Sequence, residues 1–267
     1  MAIYDCFQYF NEDHILDIRF NILNKYVDYF VISESTRTHQ GEPKKINFNI
    51  NNFPKFKNKI KFIISDYQSE KKLLNHVGGE SPIEQNQRNS LLKGLDGSND
   101  NDLIILSDSD EIPDLEKLNE IKSTTKFTAF SHQMYMYKLN ILNTDESNWI
   151  GSRVCKKKYF NQPQYIRNLK FKNYPFWRFD KFRYQIIKGG WHFSFLSEPK
   201  EIIKKIKSFS HGEFNKEEYV DLNTVEDKIL CQKDIFGRGF KLKKVNLDHS
   251  FPKYILNNKT LLKKWIS

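Results

Sequence analysis

The chain has 267 residues, 39% of them apolar and 15% aromatic, and its 43 Lys and Arg against 33 Asp and Glu give a formal net charge of +10. So much bulky apolar material excludes a disordered chain, which buries too little surface to offset its conformational entropy. No stretch reaches the roughly 18 unbroken apolar residues of a membrane span, and Met1-Ala2-Ile3-Tyr4-Asp5 lacks the basic opening of a signal peptide, so a soluble, cytoplasmic protein is expected.

Ala2 to Phe10 reads as a strand, and Asn11-Glu12-Asp13 supplies the polar start of a helix whose apolar positions Ile15, Leu16, Ile18, Phe20, Ile22 and Leu23 recur at helical spacing. Tyr29 to Ile32 is a short buried-type strand running into Ser33-Glu34, and Ile60 to Ile64 is another running into Ser65-Asp66. A helix is expected over Ile83 to Leu95, stopped by Gly94 and Gly97. Leu103 to Leu106 is a fourth apolar run, ending in Ser107-Asp108-Ser109-Asp110-Glu111-Ile112-Pro113. Thr128 to Leu139 reads as a long strand or hairpin arm, Phe182 to Ile187 leads through Gly189-Gly190 into Trp191-His192-Phe193-Ser194, a basic helix follows from Pro199 to Lys207, and an acidic one lies within 216–232.

Strands alternating with helices argue for an α/β fold with a mostly parallel sheet covered on both faces. No repeat or linker separates the halves, so one domain with an elaborated C-terminal part is expected: 1–113 as a nucleotide-binding half and 114–267 as an acceptor-side half. Cys6, Cys155 and Cys231 form no C-x-x-C pair, which speaks against a disulfide framework or zinc knuckle and for a reducing compartment. Seven lysines after residue 240 face only Asp248. A nucleic acid, an anionic membrane surface or a phosphate-bearing small molecule could each answer that charge. No nucleic-acid-binding motif accompanies it, and peripheral membrane contact stays open.

The acidic cluster after the fourth strand carries the chemistry. Ligands of open α/β sheets bind beyond the carboxyl ends of the strands, and residues i and i+2 of a strand share a face, so Asp108 and Asp110 are expected to point together. Two such carboxylates suit a hard divalent ion such as Mg²⁺ or Mn²⁺, which can bridge a diphosphate. The competing reading is a solvated turn that caps a helix starting near Pro113. The absence of G-x-x-x-x-G-K-[ST], G-x-G-x-x-G and G-x-S-x-G removes the main support for P-loop, dinucleotide and serine-hydrolase chemistry.

A family resemblance runs through nearly the whole chain. Tyr4-Asp5-Cys6-Phe7, Phe10-Asn11-Glu12 and Ile18-Arg19 open it, and Val27-Asp28, Phe30 to Glu34, Thr38-His39 and Gly41 extend it. Gln87-Arg88-Asn89, Asp102 to Pro113, Trp191 to Ser194, Ser208 to His211 with Glu213, Asp234 to Arg238, and Pro252 to Ile255 with Asn258 continue it in order. Together they resemble glycosyltransferase family 17, whose members include the enzyme that adds the bisecting N-acetylglucosamine of N-glycans. The resemblance implies a GT-A fold, UDP-N-acetylglucosamine as donor, a glycan acceptor, a divalent metal and inversion at the anomeric carbon. The animal members carry an N-terminal anchor and stem not seen in this sequence, which favours a microbial or viral enzyme over a Golgi one.

Under that resemblance Asp108, Asp110 and the late His192 are the expected metal ligands, Asp110 the foremost, with His211 the alternative histidine. Phe7, Glu34, Asp66, Arg88, Glu111 and Trp191 are the expected donor-binding set: Arg88 for the diphosphate or for pairing with an acid, Glu34 and Asp66 for ribose or uracil, Glu111 to orient the sugar or brace a basic group, and Trp191 to stack on a sugar. An inverting transfer needs a base for the acceptor hydroxyl, and Glu213 comes first, with Asp180 and Asp227 as alternatives. Two rival readings are a two-metal phosphodiesterase or nucleotidyltransferase built on Asp108, Asp110 and Glu111, and a non-catalytic glycan-binding module.

Overall fold

The structure, a computed structural model, describes residues 1–68, 81–171, 183–208 and 217–267. Among the described residues, ten strands form one sheet: β1 (Ile3–Gln8), β2 (Tyr29–Ser35), β3 (Ile60–Ser65), β4 (Leu103–Asp108), β5 (Glu111–Ile112), β6 (Phe127–Met136), β7 (Ile141–Asn143), β8 (Trp149–Lys156), β9 (Tyr184–Ser194) and β10 (Leu242–Lys244). The α-helices among the described residues are α1 (Asp13–Leu23), α2 (Pro82–Ser90), α3 (Pro163–Asn168), α4 (Pro199–Ser208), α5 (Glu217–Val220), α6 (Leu222–Leu230) and α7 (Lys253–Asn257). The order along the sheet is β10-β7-β6-β8-β4-β1-β2-β3, with β9 pairing β5 and β6 beside that path.

The expected parallel arrangement holds from β3 through β2 and β1 to β4. Beyond β4 the sheet becomes mixed, because β8 pairs antiparallel with β4 and β6 while β9 runs parallel to β6. Both faces of β1, β2 and β4 are buried, whereas β3 at the sheet edge leaves Ile64 exposed. Tyr4 and Cys6 pack with Val31, Ile104 and Leu106 on one side, and Phe7 packs with Phe20, Phe30 and Ile105 on the other. Two apolar faces explain why these strands read as continuous apolar runs rather than alternating ones.

Local chemistry sets the helices that bear on the site. α2 begins with Ser81 accepting from the Glu84 N–H and with Pro82 in its first turn, a start that fixes the turn carrying Glu84, Gln87 and Arg88. The helix expected to run to Leu95 changes at Leu91 to a 3₁₀ helix, and Gly94 does more than end it. A Cβ there would lie 2.3 Å from Val31 Cγ1, so the helix reaches this close to β2 only with glycine. The helix expected near Pro113 is a 3₁₀ turn, Leu115–Glu120, capped by Asp114.

His132 is a fully buried histidine on β6. Its ring lies between Gly151 and Gly190, where Cβ atoms would come within 2.3 and 2.6 Å of it, and neither ring nitrogen has a hydrogen-bond partner among the described residues. Burial holds its pKa down to about 3, against the pull of Glu111 and with His192, Arg19 and Arg153 adding to the depression. A depressed value contributes stability that is complete above the unfolded pKa of about 6.5 and is lost as pH falls toward 3, about 3 kcal/mol by pH 4. Denaturant unfolding of wild type and His132→Gln between pH 7 and pH 4 checks this: the variant's stability is expected to fall less steeply, and equal slopes would refute the assignment.

Candidate active site

A cavity of about 510 Å³ opens beyond the carboxyl ends of β1 and β4, within the range of small-ligand sites. The segments after β1 and β2, helices α2, α3 and α4, the start of β8 and the end of β9 close around it. Two charged groupings stand on its wall.

The first centres on Asp110. β4 stops at Asp108, Ser109 and Asp110 turn, and β5 then pairs antiparallel with β9, placing Glu111 opposite His192. The Phe193 N–H donates to the Asp110 carbonyl at 2.9 Å. This pairing closes the gap in sequence between the acidic cluster and the late histidine: His192 Nε2 lies 3.6 Å from Asp110 Oδ1. Lys205 of α4 comes in from the other side, 3.4 Å from Asp110 Oδ2 and 2.9 Å from Glu12 Oε1.

Burial by itself would raise the Asp110 carboxyl, but Lys205 and His192 overcome it and hold it well below the usual carboxylate range. Burial would likewise lower Lys205 and His192, and their carboxylate neighbours raise both. Glu12 is held down by Lys205 against its own burial. Two carboxylates and a lysine thus sit charged in the cavity wall, with His192 biased toward its protonated form.

The second grouping centres on Arg167 of α3. Its guanidinium donates to Asp108 Oδ2 at 2.6 Å and to both oxygens of Glu111 at 2.8 and 3.0 Å. Arg88 donates to Glu84 at 2.8 Å, pairs with Asp108 at 3.5 Å and hydrogen-bonds Gln164. Glu111 is buried, and Arg167 pulls its pKa far below the ordinary value despite that burial. Its Oε1 also accepts from the Trp149 indole at 2.7 Å.

Below both groupings lies Arg19. Its Nη1 donates to the carbonyls of Asp108, Ser109 and Glu111 at 3.1, 3.3 and 2.7 Å, while its other nitrogens hold Asp5 at 2.6 and 2.7 Å in full burial. One guanidinium therefore gathers the carbonyls of the acidic turn.

The structure sorts the residues expected from the sequence. Asp108, Asp110, His192 and Arg88 all line the cavity, but Asp108 and Asp110 do not act as one strand face. The strand ends between them, so Asp108 turns to the two arginines and Asp110 to His192 and Lys205. Glu111 stands behind the wall and braces Arg167. Phe7 is core, fully buried under Arg19. Glu34 is buried away from the cavity, accepting from Lys44 and from the N–H groups of Asn47 and Phe48, because its strand ends against the chain that crosses over it. Asp66 is exposed and holds Thr36 and Gln68. Trp191 faces the opposite side from its neighbour His192, as strand alternation requires; it lines a second hollow of about 920 Å³ and donates to the Ser250 carbonyl. Asp227 is exposed on α6 and does not line the cavity. Glu213, Asp180 and His211 lie outside the described residues.

Lys205, Glu12, Arg167 and Trp149 were not singled out from the sequence. For Lys205 a signal existed: Ile202, Lys205 and Ile206 form an i, i+3, i+4 stripe on α4, which puts that lysine beside the buried face. For Arg167 and Trp149 none did, since each matters only through partners 38 to 59 residues away.

The implied divalent metal can be tested against the donor set. Among the described residues, no three His, Cys, Asp or Glu side chains gather as a ready-made metal site. Asp110 and His192 nevertheless offer an oxygen and a nitrogen 3.6 Å apart, facing the cavity. A carboxylate suits Mg²⁺ or Mn²⁺, and an imidazole beside it favours the transition ion of the two. Such ions in nucleotide sites complete their shell with phosphate oxygens and water. The residues fit an ion that shares its shell with a diphosphate.

An acidic turn at the end of a parallel strand, a histidine returned to it from the second half, and several cations thus gather around one ligand-sized cavity. The chain belongs to glycosyltransferase family 17, whose family model matches residues 1–239. No curated protein sequence matches it.

Solved structures resemble it at a distance. An active-site mutant of LgtC is 13% identical with a TM-score of 0.33, covering 63% of this chain and 60% of its own. The chain thus spans about 60% of the LgtC structure's length. HddC from Yersinia pseudotuberculosis complexed with GMP-PN is 13% identical (TM-score 0.33; 72% and 88% covered), and the inositol-1-phosphate CTP transferase from T. maritima is 12% identical (TM-score 0.33; 100% and 98% covered). Among the described residues, no helix is long and apolar enough to cross a membrane.

Proposed function

We propose that this glycosyltransferase moves N-acetylglucosamine from UDP-N-acetylglucosamine to a sugar hydroxyl of a glycan, with inversion and with Mn²⁺ or Mg²⁺. The observation that carries the reading is the convergence of Asp110, His192 and Lys205 on one cavity in a chain of this family. Asp110 and His192 would hold the ion, which supplies Lewis-acid stabilisation of the leaving diphosphate when bound.

Lys205 is the charge-assisted donor placed to meet a phosphate oxygen, and Glu12 keeps its ammonium oriented. Arg88 and Arg167, fixed by Asp108, Glu84 and Glu111, hold the rim rigid so that little reorganisation accompanies transfer. In this reading residues 1–113 supply most of the donor side, joined there by Arg167, His192 and Lys205 of 114–267, the part that also carries the acceptor side. Each carboxylate that lines the cavity among the described residues is paired to a cation, which supports looking for the acceptor's base at Glu213 or Asp180. Free Cys6, Cys155 and Cys231 support a cytoplasmic setting.

The test is a screen of UDP-sugars with Mn²⁺ and assorted acceptor saccharides, following UDP release with and without EDTA. UDP-N-acetylglucosamine is expected to be the best donor, and proton NMR of the product should show the β anomer. No metal-dependent UDP release from any donor would overturn the proposal. Because two protein donors form an incomplete shell, Mn²⁺ should bind at least about tenfold more tightly when UDP is present. Titration of Mn²⁺ by electron paramagnetic resonance checks this, and equal affinity in the two conditions would contradict it.

A further inference from the structure

Three aromatic rings from the second half of the chain, Trp149, Phe195 and Phe236, line the cavity wall. Trp149 opens β8, with its indole N–H fixed on buried Glu111 at 2.7 Å and its ring 5.0 Å from that of His192 at a tilt of 41°. Phe195, just past β9, has a φ of +53°, a left-handed conformation that a bulky side chain rarely adopts. Its ring meets that of Phe236 at 5.8 Å and 63°, edge to face. All three line the cavity. Backbone strain persists where surrounding structure enforces it, and such positions cluster at ligand-binding sites. Here the strained residue sets an aromatic ring in the wall, 6.0 Å from the Lys205 ammonium.

A pyranose has an apolar C–H face and a hydroxylated edge. It suits a wall of fixed rings with polar groups beside them, as Ser194 and Arg238 stand here. The rings come from the second half of the chain, next to the Asp110–His192 pair, whereas Gln8, Tyr9 and Phe10 line the cavity from the first. We infer that Trp149, Phe195 and Phe236 form a pyranose-binding subsite, the seat of the acceptor sugar, with Trp149 orienting the ring beside the site of transfer. The acceptor role rests on the proposed transfer reaction; the binding of a pyranoside does not.

The experiment uses the whole chain with ¹⁵N-labelled tryptophan and saturating UDP and Mg²⁺, following the four indole N–H signals, with Trp149 assigned by its loss in Trp149→Phe. Methyl α-D-mannopyranoside, methyl β-D-glucopyranoside and N,N′-diacetylchitobiose are titrated in turn. At least one should shift the Trp149 signal saturably, with a Kd of order 1–10 mM. Phe236→Ala, which packs on Phe195, Tyr219 and Arg238, should weaken that binding at least about tenfold while UDP affinity stays within about twofold.

No shift from any of the three sugars overturns the subsite. So does a shift produced by UDP and by none of the sugars, which would assign the rings to uracil, or an equal loss of UDP affinity in Phe236→Ala. Saccharide binding at Trp149 in a protein that releases no UDP from any donor would leave the subsite standing and sink the transfer reaction instead.

Discussion

Asp110→Asn is expected to lower metal-dependent UDP release by about 10²–10³-fold, the usual cost of removing one electrostatic contact to a developing charge. The same substitution should abolish the UDP-linked gain in Mn²⁺ affinity, because the amide leaves His192 without its carboxylate partner at 3.6 Å. Folding should survive, since Lys205 keeps Glu12 at 2.9 Å. Asp108→Asn is the informative comparison. Its carboxylate is taken by Arg167 at 2.6 Å and Arg88 at 3.5 Å, so the variant should retain the UDP-linked Mn²⁺ affinity and lose activity through a looser rim. Equal loss of Mn²⁺ affinity in both variants would restore the shared-face arrangement and contradict the division made here.

The largest effect on stability is expected at Arg19. Arg19→Met leaves Asp5 charged and fully buried without its cation, and removing one partner of a buried pair costs about 3–5 kcal/mol. It also frees the three carbonyls of the acidic turn, so activity in the surviving folded fraction should fall as well. Urea denaturation of Arg19→Met, and of the double variant with Asp5→Asn, measures this. The double variant should recover part of the loss because its uncompensated charge is gone. A single variant within about 1 kcal/mol of wild type would rule out the anchoring role.

Much of the first half was legible because its signals are local. The parallel strands announce themselves as apolar runs, α1 by the spacing of its apolar positions, and α2 within the helix expected to stop at Gly94 and Gly97. The acidic cluster stands where a strand's apolar run ends, so its position at the sheet rim followed from the sequence too. The roles of its members did not follow. Asp108 and Asp110 share the parity of a strand, but a turn begins between them, and where a strand stops is decided by hydrogen bonds to β9 that no local pattern reveals. Glu34 and Asp66 likewise end strands, yet Lys44 and two backbone N–H groups claim one and Thr36 claims the other. Trp191 and His192 are neighbours in sequence and face opposite hollows, because adjacent strand residues alternate.

The sequence alone determined the α/β class, the family, the acidic strand end and the late histidine, all properties of residue type, order and short-range period. Only the tertiary structure decided that Asp110 rather than Asp108 meets His192, that Lys205 and Arg167 are the cations of the site, and that Trp149 rather than Trp191 lines the cavity. The reason is physical. Charge pairing acts over a few ångströms of space, and β5–β9 pairing and α4 packing bring together groups far apart in the chain, with Asp110 and Lys205 separated by 95 residues.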